Sequence, residues 1–368
     1  MDWLLHYADK VFSVPSRQEI DQYLGSWNTC SLGYANQEKV RHRAASGGIV
    51  SALLCYLMEH DIIQGALVSK VSIESGHIEA HPFLARTPDE ILQGQSSIYM
   101  EFPWLHEARP LMERAEGNLV VVGLPCTIKA LRHLEKHASG LRQKIKAHIS
   151  LICGRSSSKS LLLSVLQQKG IREKDVTGIC FREGHWRGNM HVWLHDGSEI
   201  TFPFSDFSLY RNLHFYCATK CLGCQDPLGE HAEIVCGDAW LPELKGHPIK
   251  HSLVISRTPQ ATYWLNDLTK SDVAILKPIP PETVFRAQRR GLIPAKRGKA
   301  ARANLGKLFN HKINTGQWRS SWNDYLVAGM VLFNHHWSNN RKFNPLIFKI
   351  PKPLLRLYLA AMSLLKNF

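Results

Sequence analysis

Apolar positions along the first part of the chain follow the two periods of regular secondary structure. The segment Ile49–His60 is apolar almost all round, which predicts a buried helix. Ile62–Ile73 has the composition of a strand, and the Gly-containing turn after it predicts a hairpin with Ile78–Phe83. Thr87–Glu90 supplies a capping residue, a proline and two early acids, the usual start of a further helix.

Two strand–helix units follow this hairpin. Asn118–Cys126 is a short β-branched strand that leads into the helix Thr127–His137, and His148–Cys153 leads in the same way into Ser160–Lys169. Strands that are apolar on both faces and alternate with helices indicate a parallel sheet with both faces covered. We therefore predict an α/β fold in which a mostly parallel sheet is flanked by helices.

The pattern changes in the last half of the chain. Residues 178–204 alternate and are punctuated by glycine, with a turn at His195–Ser198, which predicts a smaller β-rich subdomain. After Pro278 the chain becomes basic and loses clear periodicity, until the apolar segment Pro353–Phe368 predicts a terminal amphipathic helix. We divide the chain into an N-terminal extension (1–40), an N-terminal region (41–117), a second domain (118–282) and a basic helical C-terminal tail (283–368).

The net charge of +14 suggests a nucleic-acid partner until its distribution is considered. Between Leu241 and Phe368 lie 21 of the 45 Lys and Arg but only 5 of the 31 Asp and Glu, so the first two thirds are near neutral. This excludes a uniformly basic nucleic-acid-binding fold, and we expect no nucleic-acid partner. Basic residues ahead of an apolar helix suit peripheral contact with an anionic membrane; the alternative is a helix docked on the core with a solvated basic face.

Targeting signals and cysteine content predict the cellular compartment of the protein. Met1–Pro15 has no basic start, long apolar run or cleavage site of a secretory signal, and no segment is apolar enough to predict a membrane span. Nine cysteines without an export signal indicate a reducing cytosol, so we expect a cytoplasmic protein.

Cysteines are the most informative residues. Cys126 and Cys153 each end a predicted parallel strand, where ligands collect in open α/β sheets. Cys221-Leu-Gly-Cys224 adds a pair with the spacing of ligands to a metal or to one edge of an iron–sulfur cluster. The four thiolates match a 4Fe-4S cluster or a scattered zinc site, with Cys217 as a reserve ligand. Two alternatives stay open: each cysteine, taken singly, is a small buried apolar residue, or the pair Cys221 and Cys224 is a redox pair.

A second candidate site lies at the start of the predicted helix Ile49–His60. Ser46, Gly47 and Gly48 let an anion approach the backbone and the free N–H groups of a helix start, and Arg43 adds positive charge. Simple entry into a helix explains the two glycines equally well. Asp238, in the motif Gly-Asp-Ala-Trp, either orients a ligand or closes a turn.

These motifs, taken in order, resemble the coenzyme F420 hydrogenase/dehydrogenase beta-subunit family. Ser46–Gly48 and Gly94–Tyr99 resemble its N-terminal region. Five further motifs resemble the C-terminal domain of the family: Gly-Leu-Pro-Cys126, Ile-Cys153-Gly, Phe-Arg-Glu-Gly-His-Trp186, the Cys221–Cys224 motif and Gly-Asp238-Ala-Trp. The resemblance runs from about Val40 to Pro280. Residue 45 is Ala where relatives often have Ser.

The resemblance implies an oxidoreductase that contains FAD and a 4Fe-4S cluster. Carried over by position, four cysteines would hold the cluster: Cys126, Cys153, Cys221 and Cys224. The remaining matched or neighbouring positions would bind or border the flavin: Arg43, Ser46, Gly47, Gly48, Ser97, Tyr99 and Asp238. No catalytic acid or base is assigned, because the cofactors carry the chemistry.

The resemblance also implies partners. A ferredoxin-like donor would feed the cluster, and the flavin would pass a hydride to an acceptor such as coenzyme F420, a tetrapyrrole or an intermediate of polysaccharide biosynthesis. Many relatives carry an N-terminal ferredoxin-like segment, whereas residues 1–40 contain only Cys30, so a second cluster would reside on another protein. Two alternatives stay open: a non-catalytic electron-transfer or scaffold subunit, and a membrane-surface protein that acts through its basic tail.

Overall fold

A computed structural model describes residues 15–366. Most of the segment considered for a secretory signal, and the last two residues of the predicted terminal helix, lie outside the described residues.

A large sheet and a small one organise the α/β fold. The strands of the chain are β1 (Thr29–Ala35), β2 (Gly65–Glu74), β3 (His77–Ala85), β4 (Leu119–Gly123), β5 (Ile145–Leu151), β6 (Val176–Glu183), β7 (Asn189–Leu194), β8 (Glu199–Pro203), β9 (Ile234–Asp238), β10 (Ser252–Ser256) and β11 (Ala274–Pro278). The large sheet has eight strands in the order β11-β1-β10-β9-β5-β4-β2-β3. Its four central strands β2, β4, β5 and β9 are parallel. The strands outside them pair antiparallel.

The three strands β6, β7 and β8 form the separate antiparallel sheet that the alternating pattern predicted. The predicted turn at His195–Ser198 joins β7 to β8. Gly197 takes φ +83° there, a conformation that glycine adopts without the steric cost of a Cβ atom.

Helices cover both faces of the large sheet and form the C-terminal third. They are α1 (Arg17–Leu24), α2 (Glu38–His42), α3 (Ile49–Glu59), α4 (Pro88–Gln93), α5 (Trp104–Arg114), α6 (Pro125–Glu135), α7 (Ser139–Lys144), α8 (Lys159–Gln168), α9 (Ser205–Asn212), α10 (Thr219–Leu222), α11 (Pro259–Lys270), α12 (Pro281–Lys296), α13 (Gly298–Gly306), α14 (Trp322–Asn339), α15 (Asn344–Ile347) and α16 (Lys352–Leu365). Helices α3 and α11 share one core cluster with the sheet, and α5, α6 and α7 share another. The predicted α/β class, the β-rich subdomain and the helical tail are confirmed.

Several element boundaries differ from those expected. Strand β2 begins three residues after Ile62, because a turn that contains Asp61 at φ +57° precedes it. Helix α6 begins at Pro125, since proline suits a first helical position. As a result Cys126 lies in the first turn of a helix and not at the end of a strand.

The tail is more regular than its sequence pattern indicated. Helices α12, α13 and α14 occupy the segment in which no periodicity was found. Val284 and Phe285 of α12 are fully or almost fully buried against a core cluster that includes β10, and Leu355 and Met362 of α16 are buried beside α14. In the described part of the chain, no helix is both long and apolar enough to cross a membrane.

Candidate redox site at the sheet edge

The loop after β5 joins three parts of the chain at the carboxyl edge of the parallel strands. Ser157 forms one isolated β-bridge with Met100 and a second one with Cys217, both through backbone hydrogen bonds. The N–H of Glu101 donates a 2.9 Å hydrogen bond to the Ser157 carbonyl. The loop 154–158 therefore holds the segment that contains Cys217 beside the end of β5.

The four cysteines predicted as ligands lie in one group, which we call the cysteine group: Cys126, Cys153, Cys221 and Cys224. In each of the six pairs among them, negative charge on one thiol acts on the pKa of the other. Burial raises the pKa of Cys153 to about 12 and that of Cys224 to about 11. Cys126 opens onto a cavity, yet desolvation by the surrounding protein raises its pKa as well.

Cys221 is the exception in this group. A hydrogen bond from Cys217 lowers the pKa of Cys221, and the same contact raises that of Cys217. The backbone N–H of Ser156 also donates a 3.3 Å hydrogen bond to Cys221 Sγ. Cys217, the reserve ligand of the sequence analysis, thus acts directly on Cys221, while its thiol donates a 3.5 Å hydrogen bond to the Ala218 carbonyl.

The described side chains form no compact single-ion site: within residues 15–366, no group of three or more His, Cys, Asp or Glu side chains is positioned to hold a metal ion. A zinc ion draws its sulfur ligands to about 2.3 Å from one centre, whereas each cysteine of an iron–sulfur cluster binds a different iron atom. The two kinds of group therefore require different spacings of the four cysteines.

Positive charge faces the cysteine group. The Arg155 and Arg211 side chains are partly buried, and each guanidinium donates to the other residue's backbone carbonyl. The Nε atom of each is buried without a hydrogen-bond partner. Burial lowers the pKa of Arg155 to about 10, while Cys217, Cys221 and Cys153 act in the opposite direction. These contacts fit an anionic group held by the thiols.

A cavity of about 200 Å³ adjoins the cysteine group. Its walls come from the carboxyl ends of β4 and β5, from the start of α3 and from the segment 94–102. Four residues predicted for the two cofactors line it: Ser46, Gly48, Ser97 and Cys126. Ser156 also lines it, so the cavity and the cysteine group share a wall.

The entry to α3 is built on two glycines. Gly48 is the N-cap at φ +81°, a conformation that favours glycine. A Cβ on Gly47 would lie 2.5 Å from the Gly33 carbonyl oxygen, so this position requires glycine for space. Gly47 N–H donates to Ser252 Oγ at 2.9 Å, and the Ser46 and Ser252 hydroxyls are hydrogen-bonded at 2.8 Å.

Two predicted residues lie near the cavity without lining it. Arg43 is exposed at the C-cap of α2. Tyr99 stacks at a tilt on Phe204, with ring centroids 4.8 Å apart, and the Arg211 guanidinium carbon lies 4.8 Å from the Tyr99 ring centroid. Tyr99 thus links the cavity-lining segment to an arginine that faces the cysteine group.

Asp238 lies in a smaller, neighbouring cavity of about 20 Å³. Its carboxylate accepts a 2.6 Å hydrogen bond from Arg182, which is only 2% exposed. Lys250 lines the same cavity, and its pKa is lowered to about 8, mainly by burial and next by the positive charge of Arg182. Lys250 donates to the carbonyl of Ala44, a residue of the larger cavity, so the two cavities are neighbours.

Four residues of the site were not predicted from the sequence: Arg155, Ser156, Arg211 and Ser252. Arg155 and Ser156 directly follow Cys153 and Gly154, so the polar turn after an apolar strand was an available signal. Arg211 and Ser252 come from distant segments, and nothing in their local sequence sets them apart.

Grouped cysteines beside a cavity at the edge of a parallel sheet are an arrangement that suits redox chemistry. A model of the coenzyme F420 hydrogenase/dehydrogenase beta subunit N-term matches residues 30–106, and the model of its C terminus matches residues 117–282. The chain belongs to this family, whose members include subunits with a role in electron transfer.

Relatives illustrate the range of the family. The chain is 25% identical over 258 residues to the coenzyme F420 hydrogenase subunit beta of Methanococcus voltae, covering 69% of this chain and 86% of that protein. It is 25% identical to the chloroplastic 7-hydroxymethyl chlorophyll a reductase of Oryza sativa, covering 62% and 47%. A chain of the F420-reducing [NiFe] hydrogenase complex from Methanosarcina barkeri shares the fold, with a TM-score of 0.59 and 21% identity over 82% of this chain and 99% of that one.

Proposed function

We propose that this protein is an iron–sulfur flavoprotein oxidoreductase, with a 4Fe-4S cluster on the cysteine group and FAD in the larger cavity. One observation carries the proposal. Cys126 and Ser156 line the cavity, and Ser156 also donates its N–H to Cys221. A group in the cavity would therefore lie directly against a group held by the cysteines, as electron transfer between them requires.

The cluster assignment is supported by the donor set and its surroundings. Four thiols interact pairwise, none forms a disulfide, and an N–H group and two arginines face them. When bound, a 4Fe-4S cluster supplies one-electron chemistry and FAD supplies hydride chemistry. The protein would hold the two groups side by side, shield them from water and set their charge environment.

The flavin assignment is supported by the start of α3. This eleven-residue helix points its N-terminus at the cavity, with Ser46, Gly48 and Ser51 in the wall. Free N–H groups at a helix N-terminus bind phosphate, and FAD carries a diphosphate. Ser97 would border the same ligand, while Gly47 would act by allowing the close approach of the loop. Arg43, Tyr99 and Asp238 would act from outside the wall, through charge or position.

The partners follow from the chemistry of the two groups. We propose a ferredoxin-like one-electron donor and a hydride acceptor, either a coenzyme F420-like deazaflavin or an intermediate of polysaccharide biosynthesis. The second candidate is a non-catalytic electron-transfer subunit; the likeness in fold to one chain of a hydrogenase complex favours it. Turnover of a low-molecular-weight acceptor by the isolated chain separates the two.

The test is anaerobic purification followed by metal, sulfide and flavin analysis. We expect about four iron and four sulfide per chain, as a 4Fe-4S cluster requires, with bound FAD. Serine variants of the four ligands lose the iron. The control Cys55→Ser keeps it, because Cys55 lies in α3 with its thiol directed at the Pro88 carbonyl. A colourless protein with one zinc per chain overturns the proposal.

The exposed side chains of the tail support a location in the cytoplasm at an anionic membrane surface. The segment 341–357 exposes both basic and apolar side chains: Arg341, Lys342, Phe343, Leu346, Lys349, Leu354, Arg356 and Leu357. No acidic residue occurs after Asp324, so nothing within this segment neutralises the basic ones. Exposed apolar side chains among basic ones suit the headgroup layer of anionic lipids.

Vesicle co-sedimentation tests this location with the full chain. We expect binding to vesicles that contain phosphatidylglycerol, weaker binding in high salt, and loss of binding in Leu354→Glu/Leu357→Glu. Tyr263→Glu adds negative charge at an exposed residue of α11 and should bind as the wild type does. Equal binding of the double variant, or no binding of the wild type, overturns the membrane location and leaves a protein partner as the occupant.

A further inference from the structure

Four basic side chains lie around His214, near the cysteine group, and we call them the cation group: Arg155, Arg211, Arg302 and Lys366. All four act on the ring of His214 and, after burial itself, lower its pKa well below the usual value. The Nδ1 atom of His214 is buried and has no hydrogen-bond partner. This is a dense collection of positive charge inside a protein.

Carboxylates do not balance this charge. In the described residues, none of the four forms an ion pair with Asp or Glu; Asp324, which acts on Arg302, is held by Arg297 at 2.7 Å. The groups whose ionised form would balance the cations are cysteines: Cys153, Cys217 and Cys221 act on Arg155, and Cys217 and Cys224 act on Arg302. Buried charge is unfavourable without a counter-charge, so the arrangement suits a net anion on the cysteines.

Two of the four cations come from the tail, beyond the residues that the family models match. Arg302 lies in α13 and is 7% exposed. Its Nε donates a hydrogen bond to the Leu222 carbonyl at 2.6 Å, and its Nη2 donates one to the Cys224 carbonyl at 3.3 Å. Arg302 therefore binds the backbone of the turn that carries the paired cysteines. Lys366 follows α16 and is also 7% exposed. Burial, followed by repulsion from Arg155 and Arg302, lowers the pKa of Lys366 to about 7.

We propose that the C-terminal segment 283–366 belongs to the redox site, in which Arg302, held against the carbonyl of Cys224, raises the reduction potential of the group that the cysteines hold, and Lys366 adds to this effect when it is charged. This inference rests on the proposed function. One-electron reduction adds one negative charge to that group, with no bond made or broken and no proton required. Fixed positive charge in a buried, poorly screened setting stabilises the reduced state over the oxidised one.

The experiment removes each charge and measures the potential of the full-length holoprotein. Arg302→Gln and Lys366→Met remove one positive charge each; Arg302→Lys and Lys366→Arg keep it. Lys349→Met removes an exposed charge from the same tail and is the matched control. Iron and sulfide are measured first, and the midpoint potential is then measured by a redox titration followed by electron paramagnetic resonance.

We expect Arg302→Gln to make reduction about tenfold less favourable, which for a one-electron couple is a fall of about 59 mV. Lys366→Met lowers the potential in the same direction, and by more as the pH falls below about 7, the pKa of Lys366. The charge-conserving variants recover most of this fall, and Lys349→Met keeps the wild-type potential. The fall persists in high salt, because buried charges are weakly screened.

The outcomes separate this inference from the proposed function. Iron-loaded variants with the wild-type potential overturn the inference and leave the proposed function intact. A wild-type protein without iron overturns the proposed function itself. Arg302 also makes hydrogen bonds, so if Arg302→Gln fails to fold, Lys366→Met decides, since no hydrogen bond to the paired cysteines depends on it.

Discussion

The backbone N–H of Ser156 lies 3.3 Å from Cys221 Sγ, and the same serine lines the larger cavity. One residue therefore contacts both halves of the redox site. Because the hydrogen bond uses the backbone, a change of side chain at this position leaves the donor to the cysteine in place.

Ser156→Leu should separate flavin binding from cluster binding. The larger side chain occupies a cavity of only about 200 Å³, so we expect at least a tenfold loss of FAD affinity, with iron content unchanged. Ser160→Leu, at an exposed position in the first turn of α8, is the control. Flavin content and iron content per folded chain are the measurements. Unchanged FAD affinity would mean that the flavin binds elsewhere.

Gly47→Ala tests the close approach of the loop before α3. The new Cβ would lie 2.5 Å from the Gly33 carbonyl oxygen and 2.8 Å from the Ser252 nitrogen, so the backbone must shift. We expect a loss of about 1–3 kcal/mol in the free energy of unfolding, the usual cost of overpacking, and weaker flavin binding. Gly246→Ala, where a Cβ meets nothing within 4 Å, should change neither. Denaturant unfolding with flavin present and absent measures both effects.

Asp238→Asn tests whether this carboxylate positions Arg182 or contacts the cofactor. The substitution removes the charged partner of a guanidinium that is 2% exposed, and we expect a loss of about 1.5–3 kcal/mol of stability with FAD affinity per folded chain unchanged. Glu243→Gln breaks the exposed pair with Arg286 and should cost less than about 1 kcal/mol. A large loss of FAD affinity at unchanged stability would show direct contact instead.

The buried His148 predicts a pH dependence of stability. Its Nε2 lies 2.6 Å from Glu135 Oε1 and its Nδ1 lies 3.1 Å from Glu233 Oε2. Burial opposes the charged ring, but the hydrogen bonds to these carboxylates prevail and raise the pKa of His148 above 6.5. Burial likewise opposes the Glu233 carboxylate, but the bond from His148 prevails and lowers the pKa of Glu233 below 4.5.

The sign of each shift sets the pH window. The contribution of His148 is fully present below 6.5, its unfolded pKa, and is lost as pH rises through its raised folded value. The contribution of Glu233 is present above 4.5 and is lost as pH falls through its lowered value. His148→Leu should therefore cost most, about 3–5 kcal/mol, between pH 4.5 and 6.5, and less on either side.

Urea unfolding across this pH range is the measurement, with the exposed His137→Leu as the control. A destabilisation by His148→Leu that is the same at every pH would contradict the charged pairing of His148 with its two carboxylates.

Local sequence predicted the elements well where a single segment carries the signal. Ile49–His60 predicted α3 to within one residue, and Thr87 caps α4 as its spacing with Glu90 indicated. The tail shows the opposite case. The apolar stripe of α12 is interrupted by basic residues and by Pro294, so its pattern was too weak to predict a sixteen-residue helix. Burial of Phe285 against the core, which no local pattern displays, stabilises it.

The sequence by itself determined the class of the fold, the identity of the cysteine group and the family, because residue type and spacing carry that information along one chain. Tertiary structure decided how these parts act on each other. It joined Cys126 and Ser156 in one cavity wall and brought Arg302 from the tail against the carbonyl of Cys224. Burial, contact and electrostatic interaction depend on distance in space, and residues far apart in the chain, such as Arg302 and Cys224, come close only when the chain folds.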